Sequence, residues 1–199
     1  MRYSAKHKAQ THAKLLKKAA EHFRGQGLQG TGIAKLMGRM GLTHGGFYGH
    51  FANKNDLVAA TLGEMFAESV QHMKNAVAGA AKGQEVAAIV NSYLSPEHRD
   101  HPEQGCLLPV LAPEIAHQPL SVRKAYTRGF NEQAGKLAQF MPGEDEAERR
   151  ERARVLMAGM AGTMMFARAV SDRDLSDQIL AQGRDFYSSV LSAPAAKKS

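Results

Sequence analysis

Apolar residues recur along this chain at steps of three and four, and no stretch alternates with the period of two that a half-buried strand needs. The pattern predicts an all-α protein of about nine helices. The first spans about residues 5–24, with Ala9, Ala13, Leu16, Ala20 and Phe23 as a core-facing stripe; Lys6, Lys14, Lys17, Lys18 and Arg24 lie mostly off it, and Gly25 and Gly27 stop it. Two short helices follow. Thr31 can cap one carrying Ile33, Leu36, Met37 and Met40. Gly41 sits where the chain must turn sharply, Leu42 buries that turn, and Thr43 can cap the second.

A long helix is predicted after Asn53, which can cap it while Asp56 reaches back, with Leu57, Leu62, Met65, Phe66, Ser69, Val70, Met73 and Val77 on its apolar face. A shorter helix carries Val86, Ile89, Val90, Tyr93 and Leu94, and residues 95–105 read as a polar loop. Pro109 and Pro113 predict a kinked or broken helix over 106–116. Pro119 suits the first turn of a helix carrying Val122, Tyr126, Phe130, Gln133, Leu137 and Phe140, which Pro142-Gly143 ends. Helices over about 145–170 and 174–191 precede an Ala/Pro/Lys tail. The expected division is a three-helix domain at 1–52, a larger helical domain at 53–192 and a disordered tail at 193–199.

Two short helices joined by a tight glycine-containing turn make a helix-turn-helix, whose second helix enters the major groove of DNA. The run GLQGTGIAKLMGRMGLTHGGFYGHF, followed by Lys54 and Leu57, resembles the N-terminal domain of the TetR/AcrR family of transcriptional regulators. Gly27, Thr31, the Gly41-Leu42 turn, the Thr-x-Gly of 43–45 and the F-Y-x-H-F of 47–51 fall in register without a gap. The resemblance implies DNA contacts by Thr31, Gly32, Thr43, His44, Gly45, Tyr48, His50 and Lys54, with His44 as base reader and Tyr48 and Lys54 directed to phosphate. Phe47 and Phe51 read as core. Gly45, Gly46 and Gly49 weaken the recognition helix by roughly 0.5–1 kcal/mol each and leave fewer groups to read bases directly.

Charge changes the picture next. Residues 1–56 hold ten Lys/Arg against Glu21 and Asp56, so they carry +8 of the chain's +7 and the remainder is close to neutral. A basic module on a neutral body is the footprint of phosphate-backbone binding, although a solvated basic face gives the same count. No run of apolar residues is long enough for a membrane span and no secretory pattern opens the chain, which makes cytoplasm the expectation.

The C-terminal part is expected to hold a small-molecule effector among Met65, Phe66, Met73, Tyr93, Cys106, Leu107, Leu111, Tyr126 and Phe130, each of which also reads as ordinary core. Cys106, the chain's single cysteine, has two readings: a small buried apolar residue, or a thiol of lowered pKa that senses oxidants and electrophiles. His98, His101 and Cys106 have no standard metal-ligand spacing, so no metal and no cofactor is expected. The resemblance implies that the last two helices pair with a second copy, with Leu156, Gly159, Met160, Thr163, Phe166, Ile179, Phe186 and Val190 as interface candidates. The implied function is a dimeric repressor released from a pseudo-palindromic operator by its ligand, with thiol sensing through Cys106 as an alternative. A helical enzyme would need a phosphate loop, nucleophile elbow or metal spacing that the sequence lacks. A helical adaptor would leave the basic module unexplained.

Overall fold

The structure, a computed structural model, describes residues 5–28, 37–38 and 44–192. Among these the chain is helical and no strand occurs: α1 Ala5–Gln26, α2 His44–Tyr48, α3 Lys54–Val77, α4 Glu85–Tyr93, α5 Pro96–Asp100, α6 Leu108–Ile115, α7 Leu120–Leu137, α8 Glu146–Ala169 and α9 Arg173–Ser192. Met37 and Gly38 are also helical. The all-α expectation holds. Thr31, Gly32, the Gly41 turn, Thr43 and the 193–199 tail lie outside the described residues.

Local chemistry accounts for most boundaries. Gly27 ends α1 with φ +72, a left-handed conformation that costs glycine little, and its N–H donates to Phe23 O at 2.9 Å. Asn53 caps α3 by accepting the Asp56 N–H at 3.0 Å; Asp56 reaches back to the Asn53 side-chain amide at 3.3 Å rather than to its backbone. The polar loop expected at 95–105 is instead a helix, α5, and a 3₁₀ turn, Pro102–Gln104. Ser95 accepts the His98 N–H at 3.1 Å and Pro96 follows in the first turn, a start signal that the segment's polarity masks. Leu108–Ile115 is continuous despite Pro113, because so short a helix loses only one interior hydrogen bond there.

The apolar face of α1 also differs from expectation. Leu15, Ala19, Ala20 and Phe23 are buried, whereas Ala9 and Ala13 are exposed. Alanine adds so little apolar area that its spacing is a poor guide; leucine and phenylalanine set the face.

The body is built around α3 and α7. A Cβ on Gly129 of α7 would collide with the Phe66 ring of α3, so glycine permits this close approach. Likewise Gly159 of α8 lies under Tyr187 of α9, whose hydroxyl is 3.3 Å from that of Thr163. Arg99 of α5, buried at 5% exposure, ties that short helix to α9 by donating to Ser176 at 2.7 Å and Asp177 at 2.5 Å. Asp100 completes the cluster through Arg99 and Arg173, which hold its carboxyl well below the usual carboxylate range.

Two polar junctions join the N-terminal part to the body. Arg24, expected off the buried stripe, is 4% exposed and ion-paired with Glu68 of α3. One turn further on, the Leu28 N–H donates to both carboxylate oxygens of Glu114 at 3.1 Å, and Leu28 O accepts from Lys54 Nζ at 2.9 Å. Buried apolar residues of both parts form one continuous cluster, from Leu15 to Leu180. No helix of the described residues is long and apolar enough to cross a membrane.

Candidate nucleic-acid interface and effector cavity

The DNA-facing candidates sit on a small aromatic core. Phe47 is fully buried and Phe51 nearly so, as expected, with ring centroids 5.7 Å apart. His12 of α1 stacks on Phe51 at 4.8 Å and lies 5.6 Å from His50, which joins the basic half of α1 to the end of α2. On this support Tyr48 stands 56% exposed, its ring edge-on to Phe47, and a Cβ on Gly45 would meet open space. His44 opens α2. Lys6, Lys8, Lys14, Lys17 and Lys18 of α1 are all exposed.

His50 is half-buried, with Nδ1 buried and without a partner. Burial lowers its pKa first, and the neighbouring His12 and Lys8 lower it further. Its ring lies 5.6 Å from that of His12 and 6.4 Å from that of Phe51. Lys54, expected at phosphate, is half-buried at the start of α3 and donates to Leu28 O. With Arg24 also paired inside, the α1 lysines are the chief described source of open positive charge in this part.

In the body, α3, α4, α7, α8 and the 95–108 segment enclose a cavity of about 250 Å³. Met73, Tyr93 and Cys106 of the expected set line it. Met65, Phe66, Leu107, Leu111, Tyr126 and Phe130 do not; they pack into or against the core. Sequence reasoning missed Ser69, Gln133, Leu137, Met157 and Met160 as walls. The available signal was Gln133, a polar residue on the apolar stripe of its helix. It is 8% exposed, and its Oε1 is buried without a partner.

His98 fastens one wall. Its Nδ1 lies 2.6 Å from Tyr93 O, so the proton is on Nδ1, and Nε2 accepts the Cys106 N–H at 2.9 Å. A Cβ on Gly105 would run into this ring, so glycine lets the contact form. Burial lowers the His98 pKa to about 4, which keeps the ring neutral. Both nitrogens are thus engaged by backbone. Of the two readings of Cys106, the small buried residue fits the geometry: it is 6% exposed, and burial pushes its pKa up despite the Leu108 N–H at 3.5 Å from Sγ. The Tyr93 hydroxyl is buried beside this thiol; burial, followed by the contact with Cys106, raises its pKa well above the ordinary tyrosine value.

The last two helices leave apolar side chains uncovered. Phe166 and Phe186 are each 60% exposed and Val155 is 72% exposed; Met165 and Leu175 are exposed as well. Of the other interface candidates, Leu156 and Met160 turn into the chain's own core, Gly159 and Thr163 pack against Tyr187, and Ile179 is half-buried. The side chain of Val190 lies outside the described residues.

Residues 15–61 match the family model of bacterial regulatory proteins, tetR family. This segment covers the end of α1, α2 and the start of α3. Among solved structures, the chain is similar to reduced NemR from E. coli, at 20% identity and TM-score 0.77 over 94% of this chain and all of that one. A TetR-family transcriptional regulator from Cytophaga hutchinsonii aligns at 19% identity and TM-score 0.76, over 97% of this chain and all of the other. A TetR transcriptional regulator from Legionella pneumophila aligns at 16% identity and TM-score 0.74, over 96% and 100%. At these identities the likeness is one of fold. No curated protein matches the chain.

Proposed function

We propose that the chain is a dimeric, ligand-released repressor of the tetR family of bacterial regulatory proteins: its residues 15–61 match that family's model, and its fold is that of solved TetR-family regulators. The family is one of DNA-binding transcriptional regulators. The observation that carries the reading is the short helix His44–Tyr48 with its exposed Tyr48, joined through the Phe51–His12 contact to α1, whose lysines are exposed. Tyr48 and His44 meet the groove and its phosphates, and the lysines supply charge to the backbone. Thr31, Gly32 and Thr43 complete this surface by the sequence resemblance alone.

The second copy covers the apolar face of α8 and α9 around Val155, Phe166 and Phe186. A twofold dimer then carries two recognition helices about 34–36 Å apart, one turn of DNA. The cavity takes the effector, and the junctions at Arg24–Glu68 and Leu28–Glu114 carry its effect to the N-terminal part. The chain acts in the cytoplasm. The alternative of thiol sensing through Cys106 is less well supported, because that thiol is buried and held protonated.

Fluorescence anisotropy on genomic fragments retained by the purified protein tests the reading. Affinity should drop about a thousandfold between 50 and 200 mM salt if roughly six phosphates are neutralised. Tyr48→Phe should weaken binding without altering thermal stability. Salt-independent binding, or none, refutes the assignment.

A further inference from the structure

We propose that the cavity takes a compact, uncharged aromatic molecule of about ten non-hydrogen atoms, carrying a neutral hydrogen-bonding group such as a phenolic hydroxyl or a primary amide. This inference rests on the reading of the cavity as the effector site, and it names the chemistry of the occupant.

Size comes first. An apolar protein cavity of about 150 Å³ holds one benzene, so about 250 Å³ corresponds to roughly ten non-hydrogen atoms. The body is apolar. Met73, Met157 and Met160 contribute three thioethers to the walls, and sulfur packs favourably against aromatic rings.

Charge comes second. The interior offers no counter-ion. His98 is neutral and both its nitrogens are engaged by backbone. The ionisable groups His72, Glu97 and His101 are exposed residues at the mouth. Arg168 is half-buried and not among the walls; its Nε donates to Arg99 O at 3.1 Å and its Nη2 to His98 O at 2.6 Å, while its Nη1 is buried without a partner. An anion or ammonium entering the cavity would lose its hydration without a partner.

Polarity comes third. One uncharged group of the lining, Gln133 Oε1, is buried without a hydrogen-bond partner, and the Tyr93 hydroxyl is buried with the Cys106 thiol, a weak hydrogen-bonding group, beside it. A ligand that donates to Gln133 and bonds to Tyr93 recovers interactions the unliganded protein lacks. A purely apolar ligand leaves the Gln133 oxygen unmet, so the site discriminates against it.

The full-length protein, labelled with ¹³C at its methionine methyls, is titrated with 4-ethylphenol, ethylbenzene and 4-ethylbenzoate, and operator affinity is followed in parallel. The expected result is that 4-ethylphenol shifts the Met73, Met157 and Met160 methyls and binds at least about tenfold tighter than ethylbenzene, while the benzoate leaves them unmoved. The Gln133→Leu/Tyr93→Phe variant should still bind ethylbenzene and should lose the preference for the phenol. Equal affinity for phenol and ethylbenzene, tighter binding of the benzoate, or no shift with any of the three overturns the proposal. Occupancy by the phenol without a change in operator affinity refutes the effector reading and leaves the ligand class standing. Release of the operator by the benzoate alone does the reverse.

Discussion

Replacing Glu114 by alanine strips the Leu28 amide of its acceptor at the joint between the N-terminal part and the body. Leu28 is 2% exposed, and its N–H donates to the two Glu114 oxygens, both at 3.1 Å. A buried N–H left unmet costs about 1–3 kcal/mol. Taking about 2 kcal/mol, a chain of 199 residues should melt about 4–8 °C lower. Glu114→Gln keeps a neutral acceptor of the same length and should cost about half as much. Hydrogen exchange localises the effect: the Leu28 amide should exchange up to about thirtyfold faster in the alanine variant, with amides of α7 little changed. Because Glu114 lies on α6, whose first residue Leu108 lines the cavity, the variant should also show a smaller ligand-induced change in operator affinity. Wild-type melting together with wild-type exchange at Leu28 would refute the argument that this joint holds the two parts in register.

Glu68→Gln should destabilise the protein by about 3 kcal/mol, because it leaves the buried Arg24 cation unpaired; in chemical denaturation Arg24→Leu/Glu68→Leu should recover much of the loss, and failure to do so would show that the pair is not the cause. Between pH 7 and pH 4 the protein should lose about 3 kcal/mol through His98: the unfolded ring gains its proton near 6.5 and the folded one only near 4, so the contribution is whole above 6.5 and is lost as pH falls. His98→Gln should flatten that part of the stability profile. Gly129→Ala should cost about 1–3 kcal/mol in thermal unfolding, since its methyl meets the Phe66 ring, and Phe66→Leu in the same chain should relieve it.

Long helices were legible because their signals are local and redundant. Asn53 and Asp56 announce the start of α3, and Pro119 and Pro142 bracket α7 and its 3₁₀ end. The buried roles of Phe47 and Phe51 followed from their spacing around a helix too short to bury anything else. Residues 95–105 misread because a Ser-Pro start resembles a turn, and because the segment's stability comes from distant partners: Arg99 reaches Ser176 and Asp177, and Arg168 returns to the His98 and Arg99 carbonyls. The Glu114 and Glu68 junctions span 86 and 44 positions, so no periodicity could announce them. The cavity set was only partly readable for a related reason. Apolar periodicity identifies a buried face without distinguishing close-packed residues such as Leu107 from wall residues such as Met157. Gln133 differed because a polar residue on a buried stripe marks a place where polarity is needed.

The orientation of His44–Tyr48 against DNA is tested most directly by cleavage from that helix. Gly45 has open space where a side chain would project, and Cys106 is the chain's one thiol, so Gly45→Cys in a Cys106→Ala background accepts a single iron chelate. Bound to a fragment selected from genomic DNA, the labelled protein should cut within two major-groove segments about one helical turn apart. Uncut DNA under conditions of full binding, or cuts without that paired spacing, would contradict the account.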